Sequence, residues 1–139
     1  MAVEIARASP EDALIHYEAA CVHDYLGLEA EAVPYYVRAI ELGLPAEELR
    51  GAYLGLGSTY RVLGRYEQAI DTLEKGLAIF PGATEFLVFK AMAEHNAGRS
   101  KSAVEALLRV IAETSSDAQV QKFGRAIMLY AEDVERILR

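Results

Sequence analysis

The stretch Leu63-Gly64-Arg65-Tyr66-Glu67-Gln68-Ala69 recurs as Ala97-Gly98-Arg99-Ser100-Lys101-Ser102-Ala103, 34 residues further on, and Leu26-Gly27-Leu28-Glu29-Ala30-Glu31-Ala32 stands 37 residues before it. A chain that repeats itself at this period builds one small supersecondary unit several times over, and each unit buries its apolar face only against the next. The three additional residues of the first interval fall in Gly43-Leu44-Pro45-Ala46, a connection where insertion costs little. Gly64 and Gly98 stand where the chain must reverse with a positive φ. Small residues at Gly57 and Ala69, and at Ala91 and Ala103, let two antiparallel helices approach closely. Each repeat therefore reads as a helical hairpin.

The middle copy carries Tyr53-x-x-Leu56-Gly57-x-x-Tyr60, then Ala69-x-x-x-Leu73, then Pro81. This resembles the tetratricopeptide repeat, with Tyr53 in place of Trp and Leu73 in place of Phe. The first copy keeps Ala20, Ala32, Tyr36 and Ala39 but has His16 and His23 where aromatics would sit; the third keeps Leu87, Ala91, Ala103 and Leu107 but has Lys90 and Glu94 inside the packing face. The resemblance covers residues 11–116. It implies an all-α fold of three stacked antiparallel helix pairs, at about 9–44, 46–82 and 83–116, forming a right-handed superhelical solenoid. Val120, Phe123, Ile127, Ala131, Val134 and Leu138 then follow at helical spacing, which predicts one capping helix over 117–139 and a single domain of 139 residues. Ser9-Pro10-Glu11-Asp12 reads as a helix start capped by serine, and Pro34 is expected to kink its helix or delay its start.

In the family that this chain resembles, the first helices of the pairs line a concave groove. Carried over, that geometry implies a protein-binding groove of Leu14, Tyr17, Glu18, Cys21, Asp24 and Tyr25, then Gly51, Leu54, Gly55, Ser58, Arg61 and Val62, then Glu85, Val88, Phe89, Met92, His95 and Asn96. The second helices then present charge, including Glu31, Arg38, Glu41, Asp71, Lys75, Lys101 and Arg109. Some members hold the C-terminal carboxylate of chaperones with a clamp of Lys, Asn and Arg. The matching positions here are Tyr17, Cys21, Gly55, Glu85 and Phe89, and none can serve, so that ligand is not expected. Gly57 is accounted for by packing against Ala69, whereas Gly51 and Gly55 read as bare backbone in the groove. Alanine at either would then stabilise the helix by up to ~1 kcal/mol, whereas Gly55→Leu would block binding or dimerisation only if that patch is used rather than being an exposed site under neutral drift.

Those glycines do not form a phosphate loop. Gly55-Leu56-Gly57-Ser58-Thr59 lacks the lysine of one motif and the third glycine of the other. Ser58, His95 and Asp24 come from three successive repeats; with helix axes roughly 8–10 Å apart, Asp24 cannot orient His95. His16, Cys21, His23 and His95 have no zinc-type spacing, and Cys21 has acids rather than cations near it. The expectation is a non-catalytic protein without cofactor or metal. Hydrophobic residues at 53% exclude a disordered chain, and the longest uncharged run, Gly51 to Tyr60, is too short for a membrane span. One cysteine and no apolar leader point to a reducing cytoplasmic location. The net charge of -7 is uneven: residues 1–48 hold ten acids against two bases, and 49–139 hold eleven against twelve. Nucleic acid is disfavoured as a partner, while a basic protein engaging the acidic first repeat is compatible. The resulting expectation is a scaffold-type module that binds a peptide segment or helix in its groove, with homodimerisation through the same groove left open.

Overall fold

The computed structural model describes residues 12–137, and they contain eight α-helices. These are α1 (Ala13–Tyr25), α2 (Glu29–Leu42), α3 (Ala46–Val62), α4 (Tyr66–Ile79), α5 (Thr84–Asn96), α6 (Ser100–Thr114), α7 (Ala118–Lys122) and α8 (Gly124–Tyr130). The first six form three antiparallel hairpins, α1/α2, α3/α4 and α5/α6, each packed on the next as a helical-repeat solenoid. Gly64 and Gly98 have φ of 80° and 84°, and in both turns the following arginine N–H bonds back to a helical carbonyl.

The start of α1 is capped by Asp12, which accepts from Ile15 N–H at 3.1 Å; Ser9, Pro10 and Glu11 lie outside the described residues. Pro34 neither delays nor ends α2, which begins at Glu29 and runs through it. Ala30 and Pro34 are both exposed, so water can take the carbonyl that proline leaves without a donor. His16 and His23 replace aromatics as aromatics. Both rings pack on Tyr35, His23 stacked at 5.1 Å, and each Nδ1 donates to a backbone carbonyl one turn earlier, Asp12 and Ala19.

The core is built at the junctions between repeats. Ala20, Ala32 and Tyr36 of the first hairpin share a cluster with Ala52 and Leu56 of the second, and Leu73 shares one with Ala83 and Phe86 of the third. Glycine permits these contacts. A Cβ on Gly57 would lie 2.6 Å from Leu73 Cδ2, so Leu73 rather than Ala69 is the neighbour that requires glycine there. Lys90 and Glu94, out of pattern in the sequence, neutralise each other's burial. Lys90 Nζ lies 3.3 Å from Glu74 and 4.0 Å from Glu94.

The single capping helix expected over 117–139 is instead two short helices followed by turns. Phe123 ends α7 and precedes α8, with Gly124, a poor helix former, at the break. Polar ties to α6 then set the path of the chain. Arg109 Nη1 donates to the Ala131 carbonyl at 3.1 Å, Val134 N–H donates to Glu105 Oε2 at 3.0 Å, and Lys101 pairs with Asp133 at 3.2 Å. Lys101 and Arg109 therefore bind the C-terminal segment and do not point freely outward. Of the apolar stripe, Ala131 is fully buried, Val120 and Ile127 are half-buried, Phe123 and Val134 are exposed, and Leu138 lies outside the described residues.

Candidate interaction face

The helix packing gives the stack an inner and an outer side. Among the described helices, α1 touches α3 and α3 touches α5, whereas α2 and α4 do not touch each other and neither do α4 and α6. Helices in contact on one side and splayed on the other make the α1–α3–α5 side the inner one. Helices α7 and α8 pack on α6 alone, so they leave this inner side uncovered. In the outer splay between α2 and α4 lies a cleft of about 350 Å³, lined by Val37, Ile40, Tyr53, Leu56, Tyr60 and Lys75 among others.

The eighteen residues expected in the groove divide into two groups. Tyr25, Val62 and Leu14 are 90%, 57% and 46% exposed, far beyond what large apolar side chains show in a core. Glu18, Cys21, His95 and Asn96 are also exposed, while Leu54, Ser58, Val88, Phe89 and Met92 are half-buried. The second group is engaged in holding the repeats together. Tyr36, which the repeat pattern places only in the packing core, donates its hydroxyl to Asp24 Oδ2 at 2.8 Å. Its ring covers Gly55, where a Cβ would come 2.6 Å from Oη and 2.7 Å from Cζ. The Tyr17 hydroxyl likewise occupies the space where Gly51 would carry a side chain, and the two tyrosine rings lie 6.3 Å apart. Gly51 and Gly55 are thus contact points for α1 and α2. The bare patch of backbone expected from the sequence does not exist.

Glu85 and Arg61 are also bridging residues. Arg50, not singled out in the sequence, grips Glu85 with two hydrogen bonds of 2.5 and 2.8 Å, and Arg61 Nη1 donates to Asn96 Oδ1 at 3.2 Å. Both pairs join α3 to α5 at a separation of 35 residues, about one repeat, and that spacing is their signal in the sequence. In the turn between α5 and α6, Arg99 pairs with Glu67 of α4.

Cys21 reaches solvent, but partial burial, with Asp24 and Glu18 adding to it against hydrogen bonds from Tyr17 and Tyr36, pushes its thiol above the ordinary value. It is a thiol at neutral pH and a poor nucleophile. Burial, helped by Cys21 and Glu48, raises the Tyr17 phenol to about 12, and burial together with the bond to Asp24 raises Tyr36 as well. Asp24 is committed to Tyr36 and His95 Nδ1 to Ser100 Oγ at 2.8 Å, so the two do not share a network with Ser58. Among the described residues no group of three or more His, Cys, Asp or Glu is placed to hold a metal ion, and no helix is long and apolar enough to cross a membrane.

The Arg50 guanidinium bonded to Glu85 holds that carboxyl below its usual range. A carboxylate with a lowered folded-state pKa adds stability above its unfolded value, and this is lost as the pH falls through the lowered one. The pair is substantially exposed and screened by solvent, so its contribution is small. Urea titrations of the parent and of Arg50→Ala should differ by that small amount at neutral pH and converge in acid; a gap unchanged at low pH would mean that Arg50 acts through packing alone.

The sequence model described as tetratrico peptide repeat matches residues 13–134. A search of curated proteins finds no match. With the repeat pattern, three stacked helical hairpins and a family match over nearly the whole chain, the protein belongs to the tetratricopeptide-repeat family.

Proposed function

We propose that the inner face of α1, α3 and α5 docks a peptide segment or helix from another protein, and that its N-terminal half favours a basic one. Tetratricopeptide repeats in general are protein–protein interaction modules. The observation that supports the reading here is Tyr25, a 90% exposed aromatic at the end of α1, with Val62 57% exposed at the matching place of the next repeat on α3. Aromatic side chains of this kind supply large contact area at low entropic cost and dominate binding energies. The preference for basic partners rests on Glu18, Glu47 and Glu48, none of which forms an ion pair among the described residues. Glu18 and Glu48 add their fields at Cys21 and Tyr17. The face is read as a docking surface without catalysis, because Asp24, Arg61, Glu85 and His95 are each engaged with another side chain.

Selection of a random peptide library on the purified chain tests this. Recovered peptides should combine apolar anchors with Lys or Arg and should bind more weakly as salt rises. Tyr25→Ala should weaken them by roughly 1–3 kcal/mol while leaving the urea midpoint unchanged, because the ring is almost wholly in water in the free protein. Peptides that bind Tyr25→Ala and Val62→Ala as tightly as the parent would place the docking surface elsewhere.

A further inference from the structure

We propose that the C-terminal end of the stack, the face of α6 and α8, docks a second copy of this chain. The end of a repeat stack normally presents a polar outer surface, because an apolar one invites association. Here the terminal layer is thin. Helices α7 and α8 bury none of their own residues fully, and α6 to α8 with the turns beyond leave Ile111, Phe123, Leu129, Tyr130 and Ile137 between 45% and 71% exposed.

Between α6 and α8 runs a cleft of about 540 Å³ with Ala112, Met128 and Leu129 among its lining and Arg109, Glu113, Arg125 and Glu132 as its charged residues. Two cations and two anions make this lining neutral, and Glu113, Arg125 and Glu132 form no ion pair among the described residues. An apolar surface bordered by equal charge of both signs is self-complementary, as a two-fold contact between identical chains requires: Arg125 of one copy finds Glu132 on the other, while Arg109 stays bonded to the Ala131 carbonyl of its own chain. A strongly acidic or basic partner would gain nothing from it.

The distribution of charge over the chain favours the same arrangement. Residues 1–48 carry ten acids against two bases, and α6 makes no contact with α1 to α4. Copies that meet at their C-terminal ends keep their acidic first hairpins apart, where salt screens the repulsion. Contact through the acidic inner face would bring those hairpins together. The proposal is independent of the docking role of the inner face and leaves that face open in the dimer.

Sedimentation equilibrium of the full chain tests it. The parent should be a dimer at micromolar concentration. Arg125→Glu turns the cleft lining from neutral to two net negative charges and Glu132→Arg to two net positive. Each variant alone should dimerise at least roughly tenfold more weakly, and an equimolar mixture of the two should associate again. Tyr130→Glu should be monomeric with unchanged helicity by circular dichroism, and Tyr25→Glu should remain a dimer. A monomeric parent, a dimer untouched by both charge reversals, or a dimer dissociated by Tyr25→Glu but not by the C-terminal variants would overturn the proposal. The recovery on mixing keeps the test valid should Tyr130→Glu fail to fold.

Discussion

Gly55→Leu is expected to destabilise the chain by about 3 kcal/mol or more, by breaking the junction between the first two hairpins. Even a methyl group at this position would stand 2.6 Å from Tyr36 Oη and 2.9 Å from Cε1. Tyr36 is 3% exposed, belongs to the cluster of Ala20, Ala32, Ala52 and Leu56, and is held by its bond to Asp24, so it has nowhere to move. Gly55→Ala should itself cost roughly 1–3 kcal/mol, because the overlap outweighs the ~1 kcal/mol that alanine gains in helix propensity. Urea unfolding measures both. A Gly55→Ala chain as stable as the parent or more so would mean that Tyr36 does not lie against α3.

Phe86→Ala should cost about 3–5 kcal/mol, a large share of the roughly 5–15 kcal/mol that holds a domain of this size together. Phe86 has no solvent exposure. It contacts Leu73 and Ala83, lies 6.4 Å from the Phe80 ring, and fits against Gly76, whose absent Cβ would be 3.0 Å from the ring. Truncation leaves a cavity at the junction of α4 with α5. In a stack where each repeat touches only its neighbours, weakening one junction uncouples the helices beyond it. The variant should therefore unfold in two steps, α5 to α8 first, as read by helicity against urea. A loss below about 1 kcal/mol with a single transition would show that the junction is held elsewhere.

The repeat makes the helix pairs and their reversals legible in the sequence, since the Gly64 and Gly98 turns and the small residues at fixed offsets have few structural solutions. It also points to the first helices of the pairs, and Tyr25, Val62 and Leu14 do stand exposed on them. The features hidden from the sequence depend on side chains that cross between repeats. Gly55 reads as open because its occupant, Tyr36, comes from the preceding second helix, 19 residues earlier, and a helical pattern contains only what one helix does to itself. Arg50 escapes notice for a related reason: its partner Glu85 lies one repeat away, and the resemblance sets Glu85 at a clamp position, not opposite a charge 35 residues before it. At the C-terminus the apolar period continues through Phe123 and Gly124, but Arg109, Glu105 and Lys101 of α6 draw the chain onto another path. Periodicity cannot register that pull.

The proposed docking on the inner face of α1, α3 and α5 can be tested residue by residue by amide shift mapping. The nitrogen-15-labelled chain is titrated with the tightest peptide from the library selection, and the residues whose amides move are assigned. The largest shifts are expected at Tyr25, Val62 and Met92 and at their neighbours on α1, α3 and α5, with Glu41 and Lys75 on the outer helices unmoved. Shifts centred on the outer cleft between α2 and α4, or on α6 and α8 with Tyr25 and Val62 unmoved, would refute docking on the inner face.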